Sequence, residues 1–276
     1  MTLVRRDRVG VAMNFLLSVQ ASRGNVVAFA DQDDVWLPRK LERSMEVLRQ
    51  HDAVLVMHGA KTVDEELRPK RSGYRNVRRP RIAERLQGNL WLTVWGNTML
   101  FRRSLLDGCD WAVRPRCQWS EVPCNHDDLV GLLALVRGRT VRLPDQLLLY
   151  RQHGRNVGGA PPAPMDKVRR YSRQTAALGH AAELEHRAQV AFEWAEYFTP
   201  LVSPDRQRQT GAYFRDAGEL ARARAERLAR AVWRASASIG AAAVRGEYSN
   251  RTTAGFGWRA LVRDLHSLLY FRAHPS

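Results

Sequence analysis

The residues of this chain best suited to do chemistry fall in three clusters. The first is Asp31-Gln32-Asp33-Asp34-Val35-Trp36, an acidic group that ends the apolar run 25–30 (NVVAFA). Carboxylates this close repel one another unless a positive group sits among them, and a divalent cation is the natural partner. Mg²⁺ or Mn²⁺ takes carboxylate oxygens and commonly bridges diphosphate oxygens. Two other acidic-loop chemistries fit less well. An EF-hand loop needs glycine at its sixth position, which Trp36 occupies here, and a distal glutamate. A haloacid-dehalogenase-type phosphatase needs further Ser/Thr, Lys and acidic motifs that the chain does not place. The plain structural alternative is a solvated acidic turn capping the next helix.

The second cluster is His126-Asp127-Asp128 ahead of an apolar stretch. Aspartates there suit a helix N-terminus, whose free N–H groups and dipole favour negative charge. They also suit a general base, because a partly buried carboxylate at such a junction can take a proton from an attacking hydroxyl. The third is Tyr150-Arg151-Gln152-His153-Gly154-Arg155-Asn156-Val157-Gly158-Gly159. Arg151 and Arg155 offer bidentate contacts to phosphate, and His153 offers a nitrogen to a metal or a phosphate. A basic surface loop is the structural alternative.

The elements that must hold these clusters read as α/β. Residues 25–30 form a buried strand, Pro38 opens a helix to about residue 50, and 53–57 form a second buried strand, which predicts a parallel layer. Residues 64–81 are charged and broken by Pro69, Gly73 and Pro80, hence a loop. A short helix is expected over 82–86, and an irregular flap over 107–125. A further helix is expected over 129–136, stopped near Gly138, and a strand over 147–150. The proline-rich break at 160–164 divides a core, residues 1–159, from a helical, basic region, residues 160–276.

The chain carries a net charge of +16, with partners in nucleic acid, an anionic membrane or phosphate-rich substrates. No zinc-finger or RNP-type signature accompanies the charge, so nucleic acid is not expected. Three cysteines, Cys109, Cys117 and Cys124, make no disulfide framework and indicate a reducing cytoplasm. With His126 they are too widely spaced for a zinc site. No run reaches the roughly 18–20 apolar residues of a membrane span, and residues 9–19 do not read as a signal peptide.

Together these pieces resemble family 2 glycosyltransferases, most closely the bacterial rhamnosyltransferase-like branch. The matching stretches are residues 10–15 (GVAMNF), 29–41 (FADQDDVWLPRKL), 96–103 (GNTMLFRR), His126-Asp127 and 150–158. The resemblance implies a GT-A fold and inverting, metal-dependent transfer from a nucleotide-diphosphate sugar such as dTDP-rhamnose to a hydroxyl of a lipid-linked polysaccharide intermediate. It implies Asp31 near the nucleotide ribose, Asp33 as main metal ligand supported by Asp34, and His153 on the metal or the diphosphate. Gly96, Asn97, Thr98 and His126 would shape the sugar and acceptor pocket, Asp127 would be the base, and Trp36 would pack beneath the site. Such enzymes begin with a strand and a P-x-Y-N-type segment that hold the nucleotide base. That segment is absent before residue 10, so the expected core is truncated at its N-terminus. A separately encoded N-terminal half, or an inactive fragment that only binds a partner, are the corresponding alternatives.

In the C-terminal region, Trp258, Leu261, Val262, Leu265, Leu268 and Leu269 share one helical face, with Arg259, Arg263, Asp264 and His266 mostly elsewhere. The face either packs on the core or lies on the inner leaflet of the plasma membrane. Arg222, Arg224, Arg227 and Arg230 add positive charge to the same region.

Overall fold

The computed structural model describes residues 4, 5, 7–70, 76–91, 94–153, 179–229, 232–249 and 257–273. Residues 154–159 of the third cluster, among them Arg155, the break at 160–164 and Arg230 lie outside the described residues. Two compact units are present, one of Met1–Gly88, Leu92–Arg114 and Cys124–Met165, the other of Asn89–Trp91, Pro115–Pro123 and Asp166–Ser276.

The first unit is built on a mixed sheet. Its strands are β1 (Val26–Ala28), β2 (Val35–Trp36), β3 (Leu55–Val63), β4 (Arg81–Ala83), β5 (Met99–Arg102) and β8 (Thr140–Arg151), in the order β1-β5-β3-β8-β2, with β4 also on β8. Helices α1 (Val11–Ala21), α2 (Lys40–Gln50) and α3 (His126–Arg137) complete the unit. The α2 face Val47 and Leu48 packs with Val56, Leu100, Val141 and Leu143 from three strands. Gly138 ends α3 where a Cβ would lie 2.6 Å from Val54 Cγ1, so glycine lets β8 enter alongside β3.

Several local expectations change. The layer is not purely parallel: β5 lies between β1 and β3 and pairs antiparallel with both, while β3 and β8 run parallel. Residues 81–83 form β4 rather than the start of a helix, because Ile82 and Ala83 pair with Val141 and Thr140. Leu86, at φ 60, then directs its N–H to Leu135 O. The strand expected over 147–150 is the end of the twelve-residue β8, in which Pro144 falls in the pairing gap between Arg142 and Gln146. A proline lacks the ladder N–H, so an unpaired step is where a long strand accommodates one. The 107–125 stretch contains a hairpin of β6 (Arg116–Cys117) and β7 (Ser120–Pro123).

The second unit groups that hairpin with helices α4 (His180–Phe198), α5 (Pro204–Leu228), α6 (Val232–Val244) and α7 (Trp258–Ala273). Trp194, Phe198 and Phe214 are fully buried in it, and Trp194 Nε1 donates to Arg116 O at 3.0 Å. The apolar face expected on α7 is divided. Leu268 is buried, but Trp258, Val262 and Leu265 are 64%, 53% and 41% exposed. Asp264, expected off that face, points inward. It accepts from Arg224 Nε and Nη2 at 2.9 and 2.6 Å, from the Tyr248 hydroxyl at 2.6 Å, and lies 2.9 Å from His180 Nε2. Burial alone would raise its carboxyl, but these donors hold it well below the usual carboxylate range. Arg224 and Arg227 are buried and paired with Asp264 and Glu247, so they do not add to a solvated basic face. Buried cations need such partners, since an unpaired one carries a heavy desolvation cost.

Candidate active site

Three stretches far apart in the chain converge beside the ends of β1 and β8. The acidic loop after β1 turns tightly, with the Asp34 N–H donating to Asp31 O at 3.4 Å. It leads into β2, whose Val35 and Trp36 pair with Leu149 and Leu148. That pairing brings the carboxylates to the C-terminal end of β8, where His153 follows. His153 Nε2 lies 2.9 Å from Asp33 Oδ2. The Arg151 N–H donates to Asp34 Oδ1 at 3.1 Å, and Asn97 Nδ2 donates to Asp34 Oδ2. Trp36 is part-buried against Ala60, Leu148 and Tyr150, beneath the loop.

The third stretch is the turn Gly96–Thr98 and the start of α3. The Gly96 N–H donates to Asp127 Oδ2 at 3.3 Å, and the Asp128 N–H to Asp127 Oδ1 at 3.0 Å. Residue 96 must be small: a Cβ there would lie 2.7 Å from His126 Nε2 and 3.5 Å from Asp127 Cβ. His126 is fixed by stacking on Phe15, with ring centroids 4.1 Å apart, and by the edge of Phe29 at 4.8 Å. The Thr98 hydroxyl is turned inward and donates to Trp95 O at 2.8 Å.

Burial sets the charge states. It raises the carboxyls of Asp31 and Asp34, Asp34 to about 6. Asp31 is pushed up further by the charges of Asp33 and Asp127, while the Asn97 and Arg151 donors oppose the rise at Asp34. Burial raises Asp127 too, against the N–H groups of Asp128 and Gly96. Asp128 is pushed up to about 7, by burial and then by the charge of Asp127. The two carboxyls titrate as a pair, within which the main-chain donors to Asp127 favour its ionised form. Burial, followed by the Arg114 charge, lowers His126 to about 4, so its ring is neutral at pH 7. Tyr150 rises to about 12 through burial and the three acidic-loop charges.

Asp33 and His153 fit a cation. Asp33 Oδ2 and His153 Nε2, paired with each other at 2.9 Å, are a carboxylate oxygen and an imidazole nitrogen, both ligand types for a divalent cation. Among the described residues no group of three or more His, Cys, Asp or Glu is placed to hold a metal alone.

Sequence reasoning assigned no role to Lys40, although the residue lies in the FADQDDVWLPRKL stretch. Its side chain is 1% exposed, with Nζ donating to Asn97 O at 2.7 Å and lying 3.9 Å over the Trp36 ring. The available signal was a lysine six residues past the last carboxylate, at the first position of an amphipathic helix. Phe15 and Phe29, which fix His126, carried no comparable signal.

Residues 1–109 match the family model Glycosyl transferase family 2. An uncharacterized glycosyltransferase of Nostoc sp. is 30% identical over 148 residues, 49% of this chain and 42% of that protein. Uncharacterized proteins of Mycobacterium bovis and Mycobacterium tuberculosis are 24% identical over 160 residues, 56% of this chain and 42% of each of theirs. The matches thus span less than half the length of these relatives. Among solved structures, S. aureus TarS residues 1–349 in complex with UDP-GlcNAc aligns at 17% identity and a TM-score of 0.40, covering 88% of this chain and 70% of that one. Residues 1–109 are therefore similar to glycosyl transferase family 2; they lie in a mixed α/β unit, and a helical C-terminal region follows.

Proposed function

We propose that this chain takes part in inverting, metal-dependent transfer of a sugar from a nucleotide diphosphate to a hydroxyl of a lipid-linked polysaccharide intermediate. dTDP-rhamnose is the first donor to test. The observation that carries the reading is the convergence of Asp33, Asp34, His153 and Asp127, from stretches up to 120 residues apart, around one part-buried acidic centre. The family match over residues 1–109 supports it.

In this reading Asp31 and Asp34 border the nucleotide, and Arg151 with His153 receives the diphosphate. Asp33 and His153 would hold Mg²⁺ or Mn²⁺, which when bound supplies positive charge to the leaving diphosphate. Asp127, whose carboxylate the Gly96 and Asp128 N–H groups favour, takes the acceptor's hydroxyl proton as the acceptor oxygen bonds to the anomeric carbon and the bond to the diphosphate oxygen breaks. His126 is neutral and already packed, so it lines the acceptor pocket with Gly96 and Asn97 rather than moving the proton. Thr98 supports the turn from behind.

The acceptor class is supported by α7. Its exposed Trp258, Val262 and Leu265 recur at helical spacing beside exposed Arg259. Such a stripe on a chain of net charge +16 complements an anionic membrane surface. No described helix is long and apolar enough to cross a membrane.

Calorimetric titration with dTDP, UDP and GDP, with and without Mn²⁺, tests the reading. Binding of one nucleotide that requires Mn²⁺ and disappears in Asp33→Ala is expected. A folded wild-type chain that binds none of them, or an Asp33→Ala chain that binds equally well, overturns it.

A further inference from the structure

We infer that Lys40 is a positioning residue that holds the Gly96–Thr98 turn, and through it the proposed base Asp127, in register with the acidic loop. The inference rests on the glycosyl-transfer reading for the role of Asp127 and on geometry for the rest. Lys40 opens α2 as one of the largest fully buried side chains of the described residues. An ammonium in such a place costs free energy that an apolar side chain would not, and α2 already has Val47 and Leu48 for packing. The amine is instead directed at one acceptor, Asn97 O at 2.7 Å, across 57 residues of sequence. The Trp36 ring, 3.9 Å away, closes one side of it. Asp34 and Asp31 supply the facing negative charge, and His58, made neutral by burial, lies nearby.

The residue held by that bond is the junction of the site. The Asn97 side chain donates to Asp34, and the adjoining Gly96 N–H donates to Asp127. The Asn97 carbonyl anchors the Gly96–Thr98 turn, which carries both donors. The donor-side contacts His153–Asp33 and Arg151 N–H to Asp34 do not pass through Lys40. Loss of the amine should therefore loosen Asp127 and the Asn97 contact to Asp34 while leaving the His153–Asp33 contact in place.

Lys40→Met keeps the stem on Trp36 and removes the amine, while Lys40→Gln keeps an uncharged donor. Amide hydrogen exchange by NMR is the primary measurement. Exchange at Gly96 is expected to rise about 10–100-fold in Lys40→Met, with amides of β3 and α3 unchanged and Lys40→Gln intermediate. Donor turnover should fall at least about 10-fold and by more than nucleotide affinity, since small misplacements of reacting groups cost this much. In an Asp127→Asn background Lys40→Met should cost nothing further. Acceleration of exchange throughout the sheet, unchanged exchange at Gly96, or a parallel loss of nucleotide affinity overturns the inference. If Lys40→Met does not fold, Lys40→Gln decides by the same criteria. If the wild type turns over no sugar nucleotide, exchange at Gly96 still decides the role of Lys40, and the failure falls on glycosyl transfer.

Discussion

Gly96→Ala tests the geometry of the site with one methyl group. The added Cβ would lie 2.7 Å from His126 Nε2, where ordinary contact begins at 3.4 Å, so one partner must yield by about 0.7 Å. The imidazole is not free to swing, because it stacks on Phe15 at 4.1 Å and meets Phe29 at 4.8 Å. The displacement therefore passes to the turn and to Asp127, whose Cβ is the next nearest group at 3.5 Å. Overpacking of this kind costs about 1–3 kcal/mol, a fall of roughly 2–10 °C in Tm for a chain of this size. A shift approaching 1 Å at the base lowers turnover about 10–100-fold. Thermal unfolding, nucleotide titration and donor-turnover assays on the same preparation separate these effects: Tm and kcat fall while nucleotide affinity holds. Adding His126→Ala removes the clashing ring, so the double variant should lose less stability than the two single losses combined. Wild-type Tm and kcat in Gly96→Ala, or strictly additive losses in the double variant, would refute the packing argument.

Two further outcomes follow from charge and exposure. Asp128 has its carboxyl raised to about 7 in the fold, so the stability tied to its protonated form is present below the unfolded value near 4 and is lost as pH rises through 7. Asp128→Asn should therefore raise Tm at pH 8 and leave it nearly unchanged at pH 4; an equal gain at both would contradict the burial argument. Replacing Trp258, Val262 and Leu265 together by serine should weaken co-sedimentation with phosphatidylglycerol vesicles and leave Tm within about 2 °C, because all three are exposed. Undiminished sedimentation would show that charge alone drives the attachment.

The acidic loop was legible because carboxylates packed against the end of an apolar strand have few purposes, and residue types alone display them. The helix after Pro38 and the one before Gly138 were legible from apolar spacing. The layer order was not, because pairing depends on which strand lies alongside. Residues 99–102 are as apolar as a strand of either direction, and only the assembled sheet inserts them between β1 and β3. Residues 81–83 are too short for periodicity to separate strand from helix, and β8 decided for strand. On α7 the apolar positions were legible as a pattern, but the sequence left open whether they pack inward or face outward, and the structure divides them. Arg224, His180 and Tyr248 turn Asp264 inward, and that leaves Trp258, Val262 and Leu265 in solvent.

What the sequence determined by itself is therefore chemical: which side chains can bind a cation or a phosphate or take a proton, and the short-range helices and strands that carry them. What only the tertiary structure decided is relational: that His153 meets Asp33, that Asn97 ties Asp34 to the turn beside Asp127, and that Lys40 is buried beneath them. Such contacts bridge 57 to 120 residues of chain, and no local propensity encodes a partner that distant. Their proton affinities also arise only on folding, because it is burial that moves Asp34, Asp128 and His126 away from their values in water.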